Sequence, residues 1–333
     1  MISKFKSRKY ATHVVEITLS DGKAHEFNVE YEPSFLMGQY VDPVVLEDGP
    51  LLVLGYLSDD ADCENPLTSC DGLGAVHTAH RHAGRSEHWA MQQALGLNSG
   101  WSRDLECDEV TSRAWAALRS LIRENLTPEF VAYTLAAASD GYTAEEAWNE
   151  LLFSYERPSG NYYASPFANR VRTIAPSGER LLDDAWQDCV REGLIGDPYA
   201  VVLDCYEHGG QIWSLSGGGM QCRWDTTHGA GVWVPDSCLR EDLDAVRKSE
   251  GLDAARGKAR EYAIQALESY NAWLSGDCYG VSIAVFQKAV NGSYRALGDE
   301  HACWGYVGQD WVVEAMTDEA AATLNHLRQH KAA

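Results

Sequence analysis

The chain has 333 residues, of which 45% are hydrophobic and 23% are charged, proportions that are ordinary for a globular protein of about two domains. Its formal net charge is −22 at pH 7. Because such a field repels nucleic-acid phosphates and anionic lipids, we expect neither direct duplex DNA binding nor a membrane partner. No apolar run reaches the roughly 18 residues that a membrane-spanning helix needs.

The cysteines and the N-terminus indicate a reducing compartment. Nine cysteines are spread widely, and an odd, scattered set does not resemble the disulfide framework of a small secreted domain. The first ten residues carry positive charge with no apolar stretch after them, which is not the pattern of a signal peptide. The sequence therefore predicts a cytoplasmic protein.

The first third of the chain has the pattern of β-structure. Two runs, His13–Leu19 and His25–Tyr31, alternate in polarity around an Asp21-Gly22 pair, which predicts a β-hairpin. Leu51–Leu57 is a short apolar run typical of a buried strand. Residues 58–74 are rich in acids, Asn, Pro, Ser and Gly, which predicts a long loop.

The middle third is predicted to be helical. Apolar residues recur at helical spacing over Val110–Asn125. Capping patterns at residues 127–129 and 143–146 predict the starts of two further helices. A fourth helix is predicted over Glu179–Glu192, ended by Gly193.

The last third returns to β-structure around long helices. Two short runs around His208-Gly209-Gly210 predict a second hairpin. Beyond it the pattern predicts strands over residues 221–234, 279–288 and 294–306, and helices over residues 253–274 and 311–329.

Strands and helices therefore segregate along the chain instead of alternating, which favours an α+β fold over a doubly wound sheet. We expect an N-terminal β-rich part, a central helical part and a C-terminal antiparallel sheet packed with long helices. The predicted regions are an acidic β-rich region over residues 1–105, a helical region over 106–195 and a Trp-rich α+β region over 196–333.

The acidic residues are concentrated near the N-terminus. Between Tyr10 and Ala79 there are thirteen Asp and Glu residues and a single Lys or Arg, which is Lys23. A high net charge mainly keeps a protein dispersed, so a solvated surface is one interpretation. The other is a surface that mimics DNA phosphates or binds a basic partner. Its predicted members are Asp42, Glu47, Asp48, Asp59, Asp60, Asp62, Glu64 and Asp71.

A cluster of cysteine and histidine lies between positions 63 and 88. Both residue types are natural zinc ligands, but the cluster lacks the C-x₂-C pair of common zinc sites. An exposed polar loop is the alternative, so we expect no cofactor, with zinc as the second possibility. The candidate ligands are Cys63, Cys70, His77, His80, His82 and His88.

Three cysteines have a histidine or an acid nearby, as a nucleophilic thiol requires. None lies in a recognisable nucleophile motif, so no catalytic residue is assigned. The pairings are Cys205 with His208, Cys303 with His301, and Cys222 with Asp225 and His228.

Aromatic residues are crowded into the last third of the chain. A core between the long helix and the sheet is one interpretation, because large aromatic side chains dominate cores of this size. A protein-binding face is the other, because Trp and Tyr are favoured at binding hot spots. The candidate interface residues are Trp213, Trp224, Trp233, Trp304 and Trp311.

Four segments together resemble a family of proteins carried by bacteriophages, plasmids and integrative elements. They are Asn65–Gly74 (NPLTSCDGLG), Met220–Asp236 (MQCRWDTTHGAGVWVPD), Tyr270–Gly280 (YNAWLSGDCYG) and Asp299–Gly308 (DEHACWGYVG). The family has no assigned activity, so the resemblance implies a setting in a bacterial host and no functional residue. Acidic accessory proteins in that setting are often inhibitors of host defence, such as antirestriction or anti-CRISPR proteins, and some of them mimic DNA.

Three hypotheses about function follow. The first is a non-enzymatic binding protein that inhibits a host defence or nucleic-acid-handling complex with a basic surface. The second is a metal-dependent hydrolase that uses the His77–His88 cluster, with Glu87 or an acid between Asp59 and Glu64 as the base. The third is a structural or accessory phage protein. Charge and resemblance favour the first.

Overall fold

The computed structural model describes residues 6–7, 13–18, 22, 24–29, 41–80, 83–97, 108–124, 178–290, 292–298 and 301–331. By its internal contacts the chain forms two compact units. The first comprises residues 1–75, 203–230 and 260–333, and the second comprises residues 76–202 and 231–259. The three consecutive regions expected from the sequence remain a prediction.

The protein is α+β, as the sequence predicts. The strands are β1 (Lys6–Ser7), β2 (His13–Thr18), β3 (Ala24–Val29), β4 (Val44–Asp48), β5 (Leu51–Asp59), β6 (Ala75–Thr78), β7 (Val201–Glu207), β8 (Gln211–Leu215), β9 (Thr226–Val234), β10 (Cys278–Lys288), β11 (Tyr294–Ala296) and β12 (His301–Val307). The helices are α1 (Pro66–Ser69), α2 (Arg85–Ala94), α3 (Asp108–Glu124), α4 (Gly178–Arg191), α5 (Ser237–Glu250), α6 (Leu252–Ser275) and α7 (Gln309–Lys331). In the described part of the chain, no helix is both long and apolar enough to cross a bilayer.

Eight strands of the first unit form one large sheet in the order β1-β2-β3-β11-β10-β5-β4, with β12 also paired to β10. The predicted N-terminal hairpin is confirmed, because β2 and β3 pair antiparallel from His13↔Val29 to Thr18↔Ala24. Its turn contains Gly22 at φ 82°, a conformation that glycine adopts without strain. At the centre of the sheet, β10 pairs antiparallel with β5 over nine residues, from Tyr279↔Asp59 to Gln287↔Leu51.

The core of this unit lies between the large sheet and α7. Successive strand side chains point to opposite faces, so Leu51, Val53 and Leu57 of β5 share one face. Helix α7 packs on that face with residues spaced one turn apart. These are Val312, Met316, Ala320 and Leu324. The residues between them on β5, Leu52, Leu54 and Tyr56, are also buried, which explains the continuous apolar run in the sequence.

Gly55 lies where α7 packs against β5, and a larger residue there is expected to destabilise the protein. A Cβ atom at position 55 would lie 3.2 Å from Met316 Cγ and 3.3 Å from Ile283 Cδ1. We expect Gly55→Val to lower the free energy of unfolding by about 2 kcal/mol, because the added methyl groups overpack the core. Urea denaturation measures the change. The matched control is Gly210→Val, since nothing lies within 4 Å of a Cβ there. Equal losses in the two variants would contradict the packing argument.

The second sheet has four strands in the order β6-β9-β7-β8. The predicted hairpin around residues 208–210 is confirmed, with β7 and β8 paired antiparallel from Leu203↔Leu215 to Glu207↔Gln211. Two strand predictions need correction. The strand expected over residues 221–234 begins only at Thr226, and the strand expected over residues 294–306 is divided into β11 and β12.

The second unit contains the confirmed helices α3 and α4. The buried face of α3 carries Val110, Ala114 and Leu118, at the predicted spacing. Arg113 of α3 binds Glu192 through two hydrogen bonds of 2.8 and 2.7 Å. The helices predicted to start near residues 127 and 143 lie outside the described residues.

Sequence patterns missed helix α5. Asp236 caps it, because its Oδ1 accepts a hydrogen bond from the Leu239 backbone N–H at 3.0 Å. The helix ends at Gly251, which has φ 96°. Its apolar residues Leu239, Leu243 and Val246 recur at helical spacing, and Leu243 is the buried one among the α5 residues.

Candidate functional site

The acidic loop, residues 59–64, follows the end of β5 in the first unit. Its start is fixed because the Asp60 backbone N–H donates to the Cys278 carbonyl at 2.9 Å. Its end is fixed by Asn65, whose Oδ1 accepts from the Leu67 N–H at 3.0 Å and caps α1. The long loop predicted over residues 58–74 therefore contains a short helix.

Side chains and backbone groups from distant parts of the first unit hold the acidic loop. Asp60 Oδ2 accepts a hydrogen bond from the Gly305 N–H at 2.9 Å. The Trp273 indole Nε1–H donates to the Cys63 carbonyl at 2.9 Å. The carboxylate of Asp60 thus has a structural partner, whereas Asp59, Asp62 and Glu64 are exposed.

Two adjoining clefts flank the acidic loop and share Asp59, Asp60, Ala61 and Cys63 in their walls. The first has a volume of about 620 Å³ and extends to Asp277. The second has a volume of about 700 Å³ and is also lined by Asp62 and Glu64. Among the described residues that line the clefts there are five carboxylates and no Lys, Arg or His side chain. The electrostatic potential there favours a cation.

Each cleft also has an aromatic wall. Trp273 and Tyr279 line the first cleft, and Trp304 lines the second. The Trp304 ring lies against Gly280, where a Cβ atom would come within 2.4 Å of the ring. Gly280 therefore leaves room for the indole on the sheet. Aromatic faces beside carboxylates attract cationic side chains by two independent interactions.

The other predicted members of the acidic surface differ in their environment. Glu47 and Asp71 are exposed, whereas Asp42 and Asp48 are half-buried. Asp48 Oδ2 accepts a hydrogen bond from Arg328 Nε at 2.6 Å, so its charge is balanced within the protein. Four of the eight predicted residues, those at positions 59, 60, 62 and 64, meet at the clefts.

The structure places the predicted metal ligands as follows. His77 lies on β6, and its Nδ1 is 3.0 Å from Glu87 Oε2. His80 is buried and His88 is exposed on α2. Cys63 and Cys70 line the second cleft. His82 lies outside the described residues. Within the described ranges, no three His, Cys, Asp or Glu side chains form a group that could hold a metal ion, and zinc binding stays a prediction.

The five candidate interface tryptophans divide into two groups. Trp213 and Trp233 are buried, so their side chains contribute to the core and not to a partner-binding face. Trp224, Trp304 and Trp311 are 84%, 54% and 52% exposed. Only these three are accessible to a partner.

The three candidate nucleophilic cysteines lie in different environments. Cys205 is buried, and burial raises the pKa of its thiol to about 11, which opposes thiolate formation. Cys222 Sγ donates to Asp225 Oδ2 at 3.4 Å. Cys303 is exposed on β12, two residues after His301, and its pairing with that histidine stays a prediction.

The structure reveals an aspartate–histidine pair that sequence reasoning did not single out. Asp204 of β7 is 1% exposed, and its Oδ2 lies 3.0 Å from Nδ1 of His228 on β9. The backbone N–H groups of Gly217 and Gly229 donate to the same carboxylate, each at 2.9 Å. Burial opposes ionisation, but these donors outweigh it and hold the pKa of Asp204 well below its usual range.

Comparisons of the chain with profiles of known protein families, with curated protein sequences and with solved structures found no match.

Proposed function

We propose that the protein is an acidic accessory protein of a mobile genetic element that acts by binding. Its acidic clefts occupy the basic surface of a host complex that handles nucleic acid, and this inhibits the complex. The bound groups are Arg or Lys side chains that would otherwise contact phosphates. Duplex DNA itself is not a ligand, because the net charge of −22 repels it.

The observation that carries the proposal is the composition of the two cleft walls. Five carboxylates converge there next to Trp273 and Trp304, and the described lining residues include no basic side chain. An arginine of a partner can pair with a carboxylate through two hydrogen bonds and stack on an indole. The resemblance to proteins of phages and plasmids supports a host target.

A displacement experiment tests the proposal. A fluorescein-labelled duplex DNA is bound to a short oligo-arginine peptide, and the protein is then added. We expect release of the DNA, seen as a fall in fluorescence anisotropy, because the clefts compete for the same arginines. Release should diminish as salt rises, since exposed charges are screened.

Two results would contradict the proposal. One is retention of the DNA on the peptide at low salt, at protein concentrations well above that of the peptide. The other is a rise in anisotropy when the protein is mixed with the labelled DNA alone, which would show direct DNA binding.

A further inference from the structure

His228 is held by Asp204 in a way that fixes which ring nitrogen carries the proton. Asp204 is buried and accepts hydrogen bonds from the Gly217 and Gly229 amides, so it is ionised and can only accept. The contact of 3.0 Å with His228 Nδ1 therefore requires Nδ1–H as the donor. In the neutral ring the lone pair is consequently on Nε2.

The other nitrogen of His228 is presented outwards. The side chain is 63% exposed although its partner carboxylate is 1% exposed. A buried carboxylate behind an exposed imidazole fixes the orientation of the ring and stabilises positive charge that develops on it during a reaction. The pair therefore has the parts of a nucleophilic or proton-accepting site, at a place separate from the acidic clefts.

We propose that His228 and Asp204 form a nucleophilic dyad that accepts acyl groups from uncharged esters or other activated acyl compounds on Nε2 of His228. The net charge of the protein favours one class of substrate over another. The net charge of −22 repels anionic acyl donors, whereas uncharged donors reach the exposed ring without that penalty.

The reaction has two steps. The Nε2 lone pair attacks the acyl carbonyl carbon, an N–C bond forms, and the C–O bond to the leaving group breaks, so that the leaving group departs as its anion. The Nδ1 proton remains hydrogen-bonded to Asp204, which balances the charge of the acylimidazolium. Water then attacks the acyl carbon, the N–C bond breaks, and the carboxylic acid is released. The second proton of the water passes to the solvent, where it balances the leaving-group anion, and neutral His228 is regenerated.

The chain contains a matched internal control, His208. Its side chain is 73% exposed, and its Nδ1 is 3.5 Å from Asp225 Oδ2, too far for a strong hydrogen bond. Asp225 also accepts from the Cys222 thiol. The two histidines are thus similarly accessible to solvent. Of the two, His228 is the one hydrogen-bonded to a buried carboxylate.

Diethyl pyrocarbonate, an uncharged activated acyl compound, provides the test. The rate of carbethoxylation of each histidine is measured by peptide mass spectrometry on the folded full-length protein. We expect His228 to react on the order of fivefold faster than His208, because of its polarising carboxylate. Asp204→Asn is expected to lower the rate at His228 to that of His208 and to leave His208 unchanged.

Equal rates at His228 and His208 in the unaltered protein would overturn the proposal, and this comparison needs no variant that could fail to fold. Turnover is measured with p-nitrophenyl acetate. His228→Gln should lower the protein-dependent release of p-nitrophenolate more than His208→Gln does. Equal effects of the two substitutions would overturn the assignment of acyl transfer to His228.

Discussion

Replacement of Asp59, Asp62 and Glu64 by Asn, Asn and Gln is expected to weaken binding of an oligo-arginine peptide by about 10- to 100-fold at low salt. Each exposed carboxylate near a bound cation contributes on the order of 1 kcal/mol, and three are neutralised together. The affinity difference should shrink at high salt, because the lost interactions are screened. Fluorescence anisotropy with labelled peptide measures both affinities.

These three residues are chosen because their carboxylates are exposed at the clefts, whereas Asp60 accepts the backbone hydrogen bond from Gly305 and is kept. The matched control neutralises three exposed acids on α7 of the same unit. These are Glu314, Asp318 and Glu319. Both triple variants change the net charge equally. A similar loss of affinity in the two would show that overall charge, and not the clefts, attracts the peptide.

Asp204→Asn is expected to lower the free energy of unfolding by about 3 kcal/mol at neutral pH. The amide NH₂ group cannot accept hydrogen bonds, so N–H groups that now donate to the buried carboxylate would lose a partner. Urea denaturation followed by circular dichroism measures the loss. His228→Gln is the control, and we expect it to cost less than about 1 kcal/mol because that side chain is mostly exposed.

The contribution of Asp204 to stability depends on pH in a defined direction. Its pKa in the folded protein lies below the value of about 4 for an unfolded chain. The contribution is therefore fully present above about pH 5 and is lost as pH falls below 4 towards the folded-state pKa.

The difference between the unaltered protein and Asp204→Asn should consequently shrink by about 1 kcal/mol between pH 6 and pH 3. Comparison with the variant isolates this one carboxyl group from the other acids, which titrate in both proteins. A difference that stays constant over this range would show that folding does not lower the pKa of Asp204.

Local sequence patterns predicted most of the elements that local interactions determine. The hairpin of β2 and β3, the buried strand β5 and the helices α3, α4, α6 and α7 follow from periodicity, turn residues and caps within a few neighbouring positions. Helix α5 was missed although its Asp236 cap and the spacing of Leu239, Leu243 and Val246 are local signals. The acid-rich stretch was found because its residues are consecutive.

Only the tertiary structure decided which of these residues act together. The clefts combine residues 59–64 with Asp277 and Trp304, which lie more than 200 positions away in the sequence. Similarly, β7 and β9 bring Asp204 to His228, although neither residue belongs to a recognisable motif.

Sequence patterns also did not predict which aromatic side chains are exposed to solvent. Trp224 and Trp233 lie nine positions apart, yet the first is 84% exposed and the second is fully buried. The sequence by itself determined the α+β class, most of the elements and the strong negative charge, because these depend on composition and on near neighbours. The clefts, the dyad and the burial of each aromatic side chain depend on strand pairing and helix packing between distant segments, which only the folded chain specifies.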